Sequence, residues 1–576
     1  MRDPKIRAFF ESIGYPKEWI EEGMKYRPED SYVAFNPEWA EEPPPPLPNK
    51  PIFDIVVQRR NSDKTALVCL GKEISYRELN DLSDRLANAL RSMGVKKGDR
   101  VATFLPNSIQ HTVAFFAITK IGAICVPNNV MYTPRELEYQ LNDSGAKVLI
   151  TLDSLYPVFE KVSKSQVEEV IVTNIRDFAA DNANIPKPFD VEKEEIPNTH
   201  TLTDLLKDYT PLKEYADVDP ENDICLMIYT SGTTGRPKGV MSSHKNLWAN
   251  VWVARYLMGI NENDVDLQIM PTFHCSGWDL AQLPTLYAGG TVILVPLFDP
   301  KECLELMQNY RVTVVFAPPT FFIGLMNYPE FKKYDLSSLR IPVSCGAPLP
   351  PAVKEQWDKL TGKYLYDGYG LTETNCGGTA CLSYPKKRKL GCVGAVTLGE
   401  MKIVNDKGEV VPRGVVGEIM FRGFGVAKGY WNMPEETKKT FREDGWLHTG
   451  DAGYLDEEDF LHFVDRYKDL IIASGYNIAP YEVESVIMQH PAVKEAAVIG
   501  VPDPYRGETV KAFVSLKDEY KGKVSENDIV EFCRQYLAKF KVPREIEFID
   551  EIPKNPVGKI LRRVLREREL QKRGVM

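Results

Sequence analysis

An α/β fold with mainly parallel sheets is the class this sequence predicts. Short apolar runs alternate with amphipathic helical patterns, the helices open on capping signatures, and from about residue 417 the texture shifts to shorter strands and tight turns. At 576 residues the chain is too long for one core, and roughly two to four domains or subdomains are expected.

The first fifty residues are rich in Trp, Tyr, Glu and Pro and end in "EEPPPPLP", a stiff polyproline spacer between an N-terminal arm (1–50) and the body. In "SYRELNDLSDRLANALRSMG", Ser75 and Glu78 form a capping box. Leu79, Leu82, Leu86, Leu90 and Met93 then follow at helical spacing, and Gly94 stops the helix. A strand at 101–105 comes next. Further on, "TVILV" reads as a strand, Asp299 and Pro300 open a helix as N-cap and N1, and "VTVVFAPP" reads as another strand. Beyond Asp465 lies a compact α+β stretch of about a hundred residues, enough for its own small domain. The expected division is therefore a large domain over 51–465 and a small one over 466–576.

A formal charge of −10, from mixed charges spread along the chain, argues against nucleic acid as the main partner. No apolar run approaches the roughly 18 residues of a membrane span. The ten cysteines form no CxxC pair, which points to reduced thiols and a cytoplasmic protein. Cys376, Cys381 and Cys392 come closest to a cluster, but without an accompanying histidine they read as pocket wall rather than metal site. The oligomeric state is left open.

Residues 229–240, "YTSGTTGRPKGV", follow a short apolar run that suits a buried strand. Glycines let backbone N–H groups converge on an anion, hydroxyls add donors and Lys238 adds a point charge, so phosphate is the natural guest. The P-loop pattern fails, because counting from Gly232 the second required glycine is Pro237 and the residue after Lys238 is Gly239. Five further stretches follow in order: "PTFHCSGW" (271–278), "SCGAPLP" (344–350), "YGLTE" (369–373), "GWLHTGD" (445–451) and "DRYKDLIIASGYNIAPYEVE" (465–484). "NPVGK" (555–559) closes the series.

Together these motifs, from about Phe53 to the C-terminus, resemble the acyl-adenylate-forming superfamily of acyl-CoA synthetases, luciferases and peptide-synthetase adenylation domains. The resemblance implies a small distorted barrel within the large domain and a mobile C-terminal domain. It implies ATP and CoA as cosubstrates and Mg²⁺ as cofactor. The physical task is to bring a carboxylate against the α-phosphate of ATP, anion against anion, which requires positioned cations and donors.

By that resemblance, Thr230, Ser231, Gly232, Thr233, Thr234, Gly235 and Lys238 would wrap the β- and γ-phosphates. Glu373, with Thr234, would hold Mg²⁺, which prefers hard oxygen ligands. Gly346, Ala347 and Pro348 would line the purine edge, Tyr369 would stack on adenine, and Asp367, Gly368, Gly370, Leu371 and Thr372 would complete the nucleotide site. Asp451 would accept both ribose hydroxyls, with Arg466 at the same sugar. Lys559 would bridge the attacking carboxylate and the α-phosphate. Lys468 would be the hinge about which the small domain turns for the second half-reaction, and Gly475 and Tyr476 would flank the CoA channel.

His274 would polarise or gate the substrate carboxylate. The aspartate with which amino-acid-activating relatives pair an α-amine at this point is absent, so the resemblance disfavours amino acids. Gly370 replaces the Trp of acetate-specific relatives, Gly377 and Gly378 are small, and Trp278 would gate an acyl tunnel. A medium- to long-chain fatty acid fits best, with aryl acids as the alternative. Two other outcomes are a ligase that loads a carrier protein and a luciferase-like oxygenase. The basic run "KKRK" (386–389) has the charge to meet a phosphate but reads as a solvated loop, and the CoA phosphate contacts are left open.

Overall fold

The computed structural model describes residues 1–39, 44–230, 237–381, 389, 391–473, 476–503, 506–554 and 560–573. The mainly parallel α/β class is present. The chain divides into two compact units, one of residues 1–27, 33–401 and 421–448, the other of 28–32, 402–420 and 449–576.

The first unit holds two large sheets. One has seven strands in the order Lys238–Ser243, Ile224–Thr230, Ile124–Pro127, Arg100–Phe104, Val148–Leu152, Glu169–Thr173 and His200–Thr201. It is parallel except for the hairpin that pairs Lys238–Ser243 with Ile224–Thr230. The other has nine strands, and its centre runs parallel through Tyr366–Gly370, Ile341–Ser344, Val314–Ala317, Val265–Gln268, Thr291–Leu294 and Thr65–Cys69. Strands buried on both faces read as continuous apolar runs, which is how "TVILV" and "VTVVFAPP" betrayed themselves.

The predicted helix spans Tyr76–Ser92. Both halves of its capping box form: Ser75 N–H donates to Glu78 at 2.7 Å, and Glu78 N–H donates to the Ser75 hydroxyl. Leu79, Leu86 and Leu90 are fully buried against the core. Asp299 caps Pro300–Asn309 as its sequence required, accepting from the Glu302 N–H at 2.8 Å.

The N-terminal arm is no free appendage. Its helices Pro4–Ser12 and Lys17–Gly23 lead Tyr15, Trp19 and Glu22 onto a fully buried ion pair, in which Arg422 grips Glu400 with two bonds of 2.8 and 2.9 Å. Tyr15 donates its hydroxyl to Glu400, Glu22 accepts from Arg422, and Trp19 and Trp446 face the guanidinium. The polyproline spacer is pinned as well: the indole N–H of Trp252 donates to the Pro45 carbonyl and that of Trp248 to Lys50.

The second unit includes the antiparallel ribbon of Leu447–Leu455 and Leu461–Arg466, part of a five-stranded sheet that forms a curled half-barrel. It also holds an α+β body whose long hairpin, Val493–Asp503 with Gly507–Leu516, packs against Pro480–Ile487 and Glu526–Tyr536 around Val483, Ile487, Val498 and Ile529.

The expectation of reduced thiols throughout needs one correction. Cys275 and Cys376 are joined by a disulfide across 101 residues, with Cα atoms 6.2 Å apart, while the other eight cysteines are buried and outside any disulfide. Two cysteines from distant motifs carry no spacing signal, and only the fold sets them face to face.

Candidate active site

Parallel strands deliver the segments that follow them to one edge of a sheet, where ligands of α/β proteins bind. Three such segments leave the carboxyl edge of the nine-stranded sheet. Residues 269–276 follow Val265–Gln268, 345–350 follow Ile341–Ser344, and 371–378 follow Tyr366–Gly370. Motifs about a hundred residues apart in sequence thus become neighbours.

In the first of these segments, His274 is half-buried. The Ser276 N–H donates to its Nδ1 at 3.2 Å and the Ser276 hydroxyl lies 2.7 Å from the same atom, so the neutral ring carries its proton on Nε2. The segment is held from beneath by Asn107, which accepts from the Thr272 N–H at 2.9 Å, and by His111. His111 sits fully buried between the hydroxyls of Thr103 and Thr272, at 2.8 and 2.7 Å, and burial pushes its pKa down to about 3. Trp278, on the π-helical turn Gly277–Gln282, is fully buried, stacked on Phe115 with ring centroids 4.3 Å apart. It sits as core packing in this arrangement.

In the second segment, Gly346 takes φ +81° and Gly346, Ala347 and Pro348 are exposed. Ser344 pairs with Asp367 on the adjacent strand. Burial pushes the Asp367 carboxyl up to about 7, with Lys354 opposing the shift. Gly368 follows Asp367 on this strand, and the Tyr369 ring tilts toward Phe421 at 6.0 Å.

The third segment begins with Leu371 and Thr372 and is anchored by Asn375. Its side chain accepts from the Ser242 hydroxyl and donates to the Gly425 carbonyl at 3.0 Å, while Asn250 donates to its backbone carbonyl. Asn375 and Cys376 both hold positive φ, 51° and 62°, a strained pair that this framework enforces. The three small residues read from sequence as opening a groove do something else. A Cβ on Gly370 would lie 2.2 Å from the Cys376 carbonyl oxygen, one on Gly377 2.1 Å from Asn250, and one on Gly378 2.6 Å from the Tyr369 carbonyl oxygen. Protein atoms fill the space that their missing side chains leave.

The phosphate-loop motif is described only at its ends, where Thr230 and Lys238 pair across the hairpin. Ser231, Gly232, Thr233, Thr234 and Gly235 lie outside the described residues. Lys238 binds Glu436 at 2.8 Å and lies 4.8 Å over the Tyr430 ring, whose hydroxyl donates to Glu373 at 2.7 Å. Lys238 and Lys439 together hold the Glu436 carboxyl down to about 2. Main-chain bonds fix this arrangement: Trp431 N–H donates to the Gly239 carbonyl, and Met241 N–H donates to Gly429. Tyr430 thus links the motif lysine to the motif glutamate. Neither Tyr430 nor Glu436 was found from sequence; the aromatic and acidic cluster in "GYWNMPEET" was the available signal.

A divalent cation of the Mg²⁺ type takes one or two carboxylates and completes its shell with water and phosphate oxygens. Glu373, half-buried with one oxygen held by Tyr430, fits that requirement.

Within the second unit, Asp451 and Arg466 are direct cross-strand partners and form an ion pair of 2.8 Å, with Asp451 buried. Lys468 lies in the turn Tyr467–Asp469. That turn is tied to the last helix, Arg562–Lys572. Arg566 binds Asp469 at 3.1 Å, and Arg562 binds Glu484 at 2.7 Å and reaches Asp465 at 3.4 Å. Tyr476 begins the strand Tyr476–Ile478, whereas Gly475 and Lys559 lie outside the described residues.

Comparison with known proteins agrees with this arrangement. Residues 53–431 match the AMP-binding enzyme family and residues 482–559 the AMP-binding enzyme C-terminal domain. A long-chain-fatty-acid–CoA ligase of Bacillus subtilis (strain 168) is 41% identical over 541 residues, covering 91% of this chain and 96% of the relative. Among solved structures, ATP-bound MatB from Rhodopseudomonas palustris superposes with a TM-score of 0.80 at 34% identity, over 90% of this chain and 99% of its own. The anthranilate CoA ligase AuaEII in complex with anthranoyl-AMP gives 0.79 at 31% identity, over 91% and 98%. Motif order, sheet edge and sequence likeness together establish that this chain belongs to the AMP-binding enzyme family.

Proposed function

We propose that the protein is an AMP-forming acid–thiol ligase acting on a medium- to long-chain fatty acid. ATP and the acid give acyl-AMP and pyrophosphate, and CoA then takes the acyl group. The carrying observation is the Lys238–Tyr430–Glu373 linkage, which sets a cation and a hard oxygen ligand around one aromatic ring, as a polyphosphate with its metal needs. The substrate class follows the printed name of the B. subtilis relative.

In this reading Lys238 and the hydroxyls of residues 230–235 receive the β- and γ-phosphates. Glu373, with Thr234, holds Mg²⁺, which would neutralise charge on the departing pyrophosphate. Residues 346–348 and 367–372 take the adenosine, Asp451 and Arg466 the ribose, and His274 faces the substrate carboxylate. Lys559 bridges acid and α-phosphate. Lys468 is the hinge between a large domain (51–465) and a small one (466–576), and Gly475 and Tyr476 border the CoA channel. A cytoplasmic setting completes the reading. An aryl acid is the second reading, favoured by the likeness to a ligase solved with anthranoyl-AMP.

The test is formation of AMP, pyrophosphate and acyl-CoA by the full chain with Mg²⁺, CoA and acids from acetate to palmitate plus benzoate-type acids. Highest turnover on long chains supports the first reading, and on rings the second; no AMP from any acid ends both. Lys559→Ala should lose acyl-AMP formation by a hundredfold or more while largely sparing thioester formation from supplied acyl-AMP. Equal damage to both steps would refute the two-pose scheme.

A further inference from the structure

We propose that Cys275 and Cys376 form a reversible thiol–disulfide pair whose oxidation slows acid activation. This rests on the ligase reading for its effect on rate, though not for its chemistry. The two sulfurs come from segments 101 residues apart, each independently fixed. Thr272, three residues before Cys275, is held by Asn107 and His111; Asn375, next to Cys376, is held by Ser242, Asn250 and Gly425. The framework therefore places the two thiols within reach of each other, so closure needs little rearrangement, and the covalent bond adds a tether that hydrogen bonds alone do not supply.

Their surroundings suit exchange. Cys376 is partly exposed and Cys275 is 1% exposed, so an external disulfide meets Cys376 first. The His274 Nδ1 lies 3.7 Å from the Cys275 sulfur, so an imidazole stands directly beside the thiol. With a low-molecular-weight disulfide R–S–S–R as oxidant, the Cys376 thiolate attacks one sulfur and releases R–S⁻. The Cys275 thiolate then attacks the Cys376 sulfur of the mixed disulfide and releases the second R–S⁻. Two cysteine thiols are oxidised, one external disulfide is reduced, and the two cysteine protons end on two R–SH.

The bond joins the segment that carries His274 to the one that carries Glu373, Gly377 and Gly378. The Cys275 sulfur also lies 3.7 Å from the Thr372 hydroxyl. Fixing the two Cα atoms at 6.2 Å removes the freedom of these segments to part around an acid placed between them. His274, Cys275 and Cys376 also place three donor atoms within 4.8 Å, a set that could hold a soft metal only while both thiols are reduced.

The experiment equilibrates the full-length protein in glutathione/glutathione-disulfide mixtures, traps free thiols by alkylation, and maps Cys275 and Cys376 by mass spectrometry. Pyrophosphate release and bound zinc are measured on the same samples. Expected are a 275–376 cross-link in oxidising mixtures, at least a fivefold slower release with a long-chain acid, recovery with dithiothreitol, and loss of the response in Cys376→Ser. Any of three results overturns the proposal: both cysteines alkylate equally in every mixture, the cross-link forms but the rate moves less than twofold, or stoichiometric zinc is retained and lost in Cys376→Ser. The alkylation map reads the pair even if no acid is activated, so failure of the ligase reading is seen separately, as absence of AMP from the reduced protein.

Discussion

Replacing Tyr430 with phenylalanine isolates one hydroxyl in the centre of the proposed phosphate and metal site. The ring, and with it the 4.8 Å stacking under Lys238, is retained; only the 2.7 Å hydrogen bond to Glu373 is removed. A hydrogen bond to a charged group contributes about 1.5–3 kcal/mol. Glu373 is half-buried, so water recovers part of this loss and the lower end of the range applies. About 1.5 kcal/mol corresponds to roughly tenfold in an equilibrium constant. If Glu373 holds the metal, the loss falls on metal loading, as outer-sphere partners of a ligating carboxylate generally govern metal affinity by roughly 10–100-fold. The assay is initial-rate pyrophosphate release against Mg²⁺ concentration at saturating ATP and acid. Tyr430→Phe should raise the half-saturating Mg²⁺ concentration roughly tenfold and leave the maximal rate within about threefold. An unchanged Mg²⁺ dependence would refute the assignment of Glu373, even if the variant were slower overall.

Further outcomes follow from the same geometry. Glu436→Gln should release Lys238 toward phosphate and lower the KM for ATP by up to about fivefold, because a partly exposed ion pair is worth roughly 0–1 kcal/mol; a raised KM would contradict this competition. Arg422→Leu should lower stability by about 3–5 kcal/mol, since it leaves Glu400 buried with its charge partner gone. Urea unfolding followed by Trp fluorescence measures it, and a loss below about 1 kcal/mol would show that the arm and its ion pair do not anchor the fold. Asp367 has a folded pKa of about 7, above its ordinary 3.8, so the folded state binds the extra proton. Its contribution is fully present below the ordinary value and is lost as pH rises through about 7. Asp367→Asn should therefore gain thermal stability over the wild type at pH 8 but not at pH 4; a gain that does not vary with pH would refute the shift.

Local chemistry was legible where neighbours in sequence are partners in space. The Ser75–Glu78 capping box, the Asp299 N-cap and the apolar strands were readable because their signals are confined to a few consecutive residues. The motif lysine drew notice for its charge beside glycines and hydroxyls, and the glutamate only through the resemblance of "YGLTE" to a family motif. Tyr430 was not, since its two partners come from residues 238 and 373 and nothing in its own stretch names either. The small glycines misled for a related reason. Absence of a side chain says that something approaches closely, but sequence cannot say whether ligand or protein does so, and at Gly370, Gly377 and Gly378 it is protein.

The amino-acid string by itself determined the alternation of strands and helices, the order of the motifs and the demand for cations beside a phosphate, because periodicity, capping and charge act over a few residues. The tertiary structure alone decided three things: that Asp451 and Arg466 form a cross-strand ion pair, that an N-terminal arm closes over Arg422 and Glu400, and that two cysteines from separate motifs meet. Each depends on strand register or on where a sheet edge delivers its loops, and those are fixed by packing across hundreds of residues.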